Sequence, residues 1–231
     1  MHLIFIHGAG CTGDVFDAQV SAFPGAIAPT LPGHTTPGSP ASIGEFADAV
    51  TAGLDARGLD SVVLCGHSMG AAIALELALR HDKRIKGIAL LGGGARLRVR
   101  PATFESIERD FAAAAHTLAE AFFSDPTAAR VEGAVAGLLS VGADQTLRDF
   151  RSCDAFDVSD RLGEIRLPVL ALTGEHDVMT PPKYATFLAD RIPGAAARIL
   201  PGAGHLCMIE RPAETNEALL TFVNQFENSP V

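Results

Sequence analysis

The chain has 231 residues, 48% of them apolar and 19% charged, enough to bury a substantial core and too apolar to stay disordered. Twenty-seven acidic against 18 basic side chains give a formal charge of −9. With no long run of like charge, that balance argues against nucleic acid or an anionic membrane surface as the principal partner.

No apolar run approaches the roughly 20 residues of a spanning helix, and the N-terminal run is too short for a secretory h-region. The expected location is the cytoplasm. Four cysteines, Cys11, Cys65, Cys153 and Cys207, lack the spacing of a disulfide framework or a zinc site and are expected as packed, reduced thiols. Cys207 is the one expected nearest a site mouth; packing is the favoured account there too, with reach of a thiol reagent as the alternative.

Leu3-Ile4-Phe5-Ile6 is a short apolar run ending at His7-Gly8-Ala9-Gly10, the pattern of a doubly buried strand that stops at a glycine turn. Ser61-Val62-Val63-Leu64-Cys65 ends the same way at Gly66. After Ser68 the apolar spacing becomes helical, with Ala71, Ala72, Leu75, Ala78 and Leu79 on one face. Residues 85–91 and 169–172 repeat the strand signature, and 197–200 carry a weaker one. Strands alternating with helices predict a mainly parallel α/β sheet with right-handed crossovers.

Residues 96–157 interrupt that alternation. Phe104, Ile107, Phe111, Ala115, Leu118 and Phe122 step by three or four, as do Val131, Val135 and Leu138 beyond Pro126, which predicts two or three helices and no strand. The expected division is a core of residues 1–95 and 158–231 with a helical lid at 96–157, too small for a core of its own. Ordinary crossover helices of a longer sheet are the alternative.

The chemistry centres on Gly66-His67-Ser68-Met69-Gly70. It fits the G-x-S-x-G elbow, in which serine sits on a strained strand-to-helix turn, and here a strand precedes it and a helix follows. The helix start places the Met69 N–H where an oxyanion would gain from it. Serine needs a base and a group to orient that base. His205, in the turn Pro201-Gly202-Ala203-Gly204-His205, and Asp177, in Gly174-Glu175-His176-Asp177, each follow a predicted strand, and the order Ser, Asp, His is that of the elbow hydrolases. A solvated turn histidine and a turn-capping aspartate are the alternatives. The glycines of the first turn allow a second oxyanion donor, the N–H of Ala9.

With these residues in place, the chain resembles the α/β-hydrolase superfamily over nearly its whole length. His7-Gly8-Ala9-Gly10 with Phe16 is similar to the family's oxyanion turn, Leu31-Pro32-Gly33-His34 to the loop after the next strand, and the Asp177 and His205 segments, with Pro181, Glu210 and Pro212, to the acid and base segments. Because the chain opens at the strand before the oxyanion turn, the antiparallel strands that begin many members are expected to be absent, as in the small esterase and hydroxynitrile-lyase branch. Within the superfamily, dehalogenases and epoxide hydrolases carry aspartate where Ser68 stands. Carbon–carbon hydrolases commonly carry a tryptophan beside the histidine, and this chain has none. Hydroxynitrile lyases rely on a lysine just after the histidine, where Leu206 and Cys207 stand.

The resemblance implies a serine carboxylesterase acting on small or medium acyl esters, with no metal and no cofactor, as a monomer or homodimer. A thioesterase or lactonase with the same triad, and a ligand-binding receptor of the same fold with little turnover, are the other readings. Phe104, Phe111, Phe122 and Leu206 are candidate pocket residues, though such a stripe is more often the packing face of a helix. Arg96, Arg98 and Arg100 alternate with Leu97 and Val99, so an extended segment puts three guanidinium groups on one side, for a substrate anion or simply for solvent.

Overall fold

In the computed structural model, which describes residues 1–227, the five apolar runs form one parallel sheet. Strands β1 (His2–Ile6), β2 (Val62–His67), β3 (Ile85–Leu91), β4 (Val169–Gly174) and β5 (Ala196–Leu200) pair in that order. β2 and β4 are buried at every position, whereas β5 is an edge strand buried only at Leu200. Helices α1 (Asp17–Ala22) and α2 (Ile43–Ala56) lie between β1 and β2, α3 (Met69–Leu79) between β2 and β3. α2 begins at Ser42, whose hydroxyl accepts the Glu45 N–H at 3.2 Å, while Glu45 returns a carboxylate to the Ala41 N–H at 2.8 Å, a reciprocal cap.

After β1 the chain crosses to the outer side of that strand, where Ile27 bridges Ile4 in parallel, and returns through α2 to β2 on the other side. The connection therefore reverses direction across β1. Open α/β sheets bind ligands at such a reversal, beyond the carboxyl ends of the strands, and those ends carry His7-Gly8-Ala9 and Ser68.

α3 departs from the expected one-sided helix: every residue except Glu76 is buried. It lies between the sheet and α2 and meets the helical insertion as well, so small alanines on all faces serve close packing rather than a water-facing side.

Residues 96–157 contain four helices, correcting the expected two or three: α4 (Pro101–Arg109), α5 (Phe111–Phe122), α6 (Ala128–Val141) and α7 (Ala143–Ala155). The first stripe is cut at Asp110, whose extended backbone (φ −156°) ends α4 while its side chain caps the Ala113 N–H of α5 at 3.1 Å. The second stripe lies wholly within α6, which ends at Gly142, at φ +87°, a left-handed conformation that favours glycine. An isolated antiparallel bridge between Arg96 and Asp157 closes the base of the insertion. α8 (Pro182–Arg191) joins β4 to β5, and α9 (Cys207–Glu210) and α10 (Pro212–Glu227) end the described chain. No helix of the described residues is long and apolar enough to cross a membrane.

Candidate active site

Ser68 follows β2 at φ 52°, ψ −111°, a strained conformation for a residue with a Cβ. The surrounding glycines explain how the turn closes. A Cβ on Gly66 would lie 2.1 Å from the Gly70 carbonyl oxygen, and one on Gly70 would lie 2.0 Å from that of Ile6. The Ser68 N–H donates to the Leu91 carbonyl at 2.9 Å. Among the described residues its hydroxyl has no hydrogen-bond partner, and it stays partly accessible.

Asp177 and His205 meet beside this elbow although 28 residues separate them, with Nδ1 of the ring 2.8 Å from Asp177 Oδ2. The two loops are stitched together, since the Glu175 N–H donates to Leu200 O at 2.9 Å and the His176 N–H to Ala203 O at 2.8 Å. Asp177 Oδ1 accepts the backbone N–H groups of Met179 (2.9 Å) and Thr180 (2.8 Å), and Oδ2 lies 2.8 Å from the Thr180 hydroxyl. Burial alone would push the Asp177 carboxyl up, but the His205 ring and the Thr180 donors outweigh it and hold the group below the usual carboxyl range. Gly92, directly after the Leu91 that binds Ser68, packs on this pair: a Cβ there would lie 3.1 Å from His205 Nδ1 and 3.3 Å from Asp177 Oδ2. Nε2 of His205 has no protein partner among the described residues. Ser68, Asp177 and His205 are thus gathered around the ends of β2, β3 and β4.

The turn after β1 is fixed from below. His7 Nδ1 donates to Gly8 O at 2.9 Å, and its Nε2 accepts the Leu31 N–H at 2.9 Å. In a trans peptide the N–H points opposite to the carbonyl, so holding Gly8 O inward turns the Ala9 N–H outward, where it has no acceptor among the described residues. The Met69 N–H, first in α3, is likewise without one. Gly10 N–H donates to Asp149 Oδ2 of α7 at 2.8 Å. The same oxygen lies 2.7 Å from His34 Nε2, and Oδ1 accepts Gln145 Nε2 at 2.8 Å. Both Asp149 and His34 are fully buried, and the His34 ring meets His7 edge-on at 4.7 Å.

Asp149, His34 and Thr180 are site residues that the sequence reading missed. A carboxylate mid-helix looks like a solvent-facing residue to any hydrophobic periodicity, and the one available signal was the run of polar residues Gln145, Thr146 and Asp149 in a helix with little apolar stripe. Glu210 plays a parallel part on the base loop: Oε2 accepts the Gly204 N–H at 2.5 Å, while Oε1 accepts the N–H groups of Ser124 (3.0 Å) and Asp125 (3.1 Å) beyond α5.

Two further buried histidines carry a pH consequence. Burial, with the neighbouring His34 ring, drives His7 down to about 3, and burial, with the His205 ring, drives His67 well below its ordinary value. The His67 ring meets that of His205 at a tilt, with centroids 4.6 Å apart, and its Nε2 donates to the His205 carbonyl at 3.1 Å. An unfolded chain protonates both rings near pH 6.5 while the folded chain does not, so below that pH the unfolded state binds more protons. Stability is expected to be full above pH 7 and to fall as pH drops toward 5, with a slope approaching about 1.4 kcal/mol per pH unit per ring. Urea midpoints between pH 7.5 and 5 check this; a flat series contradicts it.

Ser68, Ala9, Val99, Phe150 and Met179 line a slot of about 50 Å³. A cavity of about 720 Å³ lies on the other side of the oxyanion turn, bounded by Gly10, Phe122, Phe123 and Leu206. Phe122 and Leu206 therefore do line a cavity, and the Phe122 ring is 6.2 Å from that of His205. Phe104 and Phe111 line neither space; both pack against the core, which corrects their expected place in a pocket. Cys207 is fully buried and its thiol is pushed up to about 12 by burial, which fits the packed thiol and not the alternative of a thiol at the mouth. Cys153 is the thiol that borders the slot. No cluster of three metal-ligating side chains occurs among the described residues.

A strand, elbow, helix unit, with Asp177 and His205 in contact beyond later strands, defines an elbow-type α/β hydrolase architecture. The sequence model of the alpha/beta hydrolase family matches residues 3–218, and the chain belongs to that family. Among its relatives, the protein named "Putative carbamate hydrolase RutD" from Azorhizobium caulinodans is 30% identical over 203 residues, covering 81% of this chain and 76% of the relative. A solved thermophilic esterase superposes with a TM-score of 0.89 at 30% identity, covering 96% of this chain and 89% of its own. Est816, described as an N-acyl homoserine lactone degrading enzyme, gives 0.87 at 30% identity over 96% and 93%.

Proposed function

We propose that this chain is a serine hydrolase that cleaves carboxylic esters of small or medium acyl chain through an acyl-enzyme on Ser68. The observation that carries the reading is the 2.8 Å contact of His205 Nδ1 with Asp177, beside an elbow serine whose hydroxyl has no protein partner. The similar proteins are named for carbamate, ester and lactone cleavage; each such substrate is a carbonyl bearing a heteroatom leaving group.

In the proposed reaction the Ser68 hydroxyl turns to His205 Nε2, gives up its proton and attacks the carbonyl carbon. Asp177 keeps the other proton on Nδ1, so Nε2 is free to accept. The carbonyl oxygen takes up negative charge and receives the Ala9 and Met69 N–H groups, whose alignment was established on folding and costs nothing at the moment of reaction. His205 then protonates the departing alcohol, and water, deprotonated by the same ring, releases the acid.

Residues 96–157 act in this reading as a fixed cap on the core of 1–95 and 158–231. α7 is bonded to the oxyanion turn through Asp149, and the end of α5 to the base loop through Glu210 and the Leu206 N–H to Phe122 O bond of 3.0 Å. Asp149→Ala strips acceptors from Gly10 and His34 together. It is expected to cost about 3 kcal/mol of stability and to lower kcat more than it changes KM, with Asp149→Asn, which retains an acceptor for Gly10, recovering part of both. Urea unfolding and steady-state kinetics check this; an unchanged kcat in Asp149→Ala would show that the turn holds itself.

The test of the function is covalent labelling with a fluorophosphonate, mapped by mass spectrometry, alongside turnover of a p-nitrophenyl acyl series. Label on Ser68 with sustained turnover supports the reading. Single labelling with no turnover of any ester supports the receptor instead, and faster opening of an acyl homoserine lactone than of any open ester moves the chain to the lactonases.

A further inference from the structure

We propose that the substrate carries a carboxylate on its acyl side, held by Arg98 at the mouth of the Ser68 slot. The inference rests on the serine-ester reading above and names the substrate class for that site.

The segment after β3 is extended, with Ala95 and Leu97 turned into the core and Arg96, Arg98 and Arg100 outward. Arg98 borders three spaces at once. One is the slot that contains Ser68. The second, of about 650 Å³, also has Arg96, Lys183 and Tyr184 in its wall, and the third, of about 610 Å³, has Arg100 and Val99. No aspartate or glutamate lines any of the three. Arg96 is paired with Asp157 at 3.3 Å, and the nearby Asp154 is occupied by the Val99 N–H at 3.0 Å. Arg98, Arg100 and Lys183 have no acidic partner among the described residues. In a chain of formal charge −9, three cations without an acidic partner around these adjoining spaces make a local field opposite in sign to the whole, and such a field concentrates anions.

Direction follows from the chemistry. The leaving alcohol takes its proton from His205 and so departs on the His205 side, where Phe122 and Leu206 bound the larger cavity. The acyl chain then lies away from that side, along Leu97, Val99 and Phe150, toward Arg98. An apolar run ending at a guanidinium suits a short hydrocarbon terminated by a carboxylate, which the planar fork accepts with two parallel hydrogen bonds.

The experiment compares monomethyl esters of the dicarboxylic acids from succinate to suberate with methyl esters of monocarboxylic acids of equal chain length, followed by pH-stat titration. At low salt at least one half-ester is expected to show kcat/KM about tenfold above its neutral counterpart, mostly through KM, with the advantage shrinking as salt rises. Arg98→Gln is expected to bring the half-ester down to the kcat/KM of its neutral counterpart in the same variant, and Arg198→Gln, on the edge strand, to keep the advantage. Ser68-dependent hydrolysis of neutral esters with no preference for any half-ester, or a preference that survives Arg98→Gln, overturns the anion proposal and leaves the esterase reading standing. Absence of turnover on every ester together with no phosphonate label on Ser68 overturns both.

Discussion

Ser68→Ala is expected to lower kcat on a p-nitrophenyl ester by roughly 10⁴ to 10⁶-fold, the range over which removing a triad nucleophile acts. The residual rate over water would come from the Ala9 and Met69 donors, which the substitution leaves in place. Folding should not suffer. The hydroxyl makes no hydrogen bond among the described residues, so its loss strands no partner, and the Cβ that packs against Gly8 is retained. Ser68→Gly goes further: at φ 52° glycine relieves the strain of the turn, and a gain of about 1 kcal/mol is expected despite the loss of activity. Thermal unfolding of the two variants beside kinetics separates a lost nucleophile from a lost fold. A Ser68→Ala protein that keeps most of its activity would remove the residue from the reaction.

Asp177→Asn is expected to cost about 10⁴ in kcat for a different reason, which is tautomer control. The amide can still accept the Met179 and Thr180 N–H groups through its oxygen, so the loop survives. Its NH₂ then faces His205 Nδ1, which must become an acceptor, and the ring proton moves to Nε2. A ring protonated at Nε2 cannot take the proton of Ser68. KM should change little, because Asp177 is separated from the substrate by the ring itself. Thr180→Val removes only a hydroxyl that lies 2.8 Å from Asp177 Oδ2 and 2.8 Å from Gly92 O, leaves the tautomer intact, and is expected to lose far less. Equal losses in the two variants would mean that Asp177 merely braces its loop.

The cap helices show where sequence patterns mislead. One stripe from Phe104 to Phe122 has the spacing of a single helix, yet Asp110 divides it, because a side chain that caps the next turn competes with continuing the current one. Phe104 and Phe111 are partly buried against the core, whereas Phe122, itself a core residue, also borders a cavity: periodicity identifies a buried face without saying what buries it. The arginine alternation after β3 was legible as a one-sided row, but only the fold shows that Arg98 of that row borders the slot of Ser68.

The strand segments along the chain, the elbow and its glycines, and the succession of serine, aspartate and histidine were determined by the sequence alone, since each depends on local backbone sterics or on a run of apolar residues along the chain. Tertiary structure decided what touches what. Asp149 came to the oxyanion turn from 139 residues away, and Thr180 and Glu210 became braces of the loops that carry Asp177 and His205. These are buried polar contacts between distant segments. Their cost or benefit depends on a partner no local pattern can name, because a carboxyl group is tolerable inside a protein only where another part of the chain brings it donors.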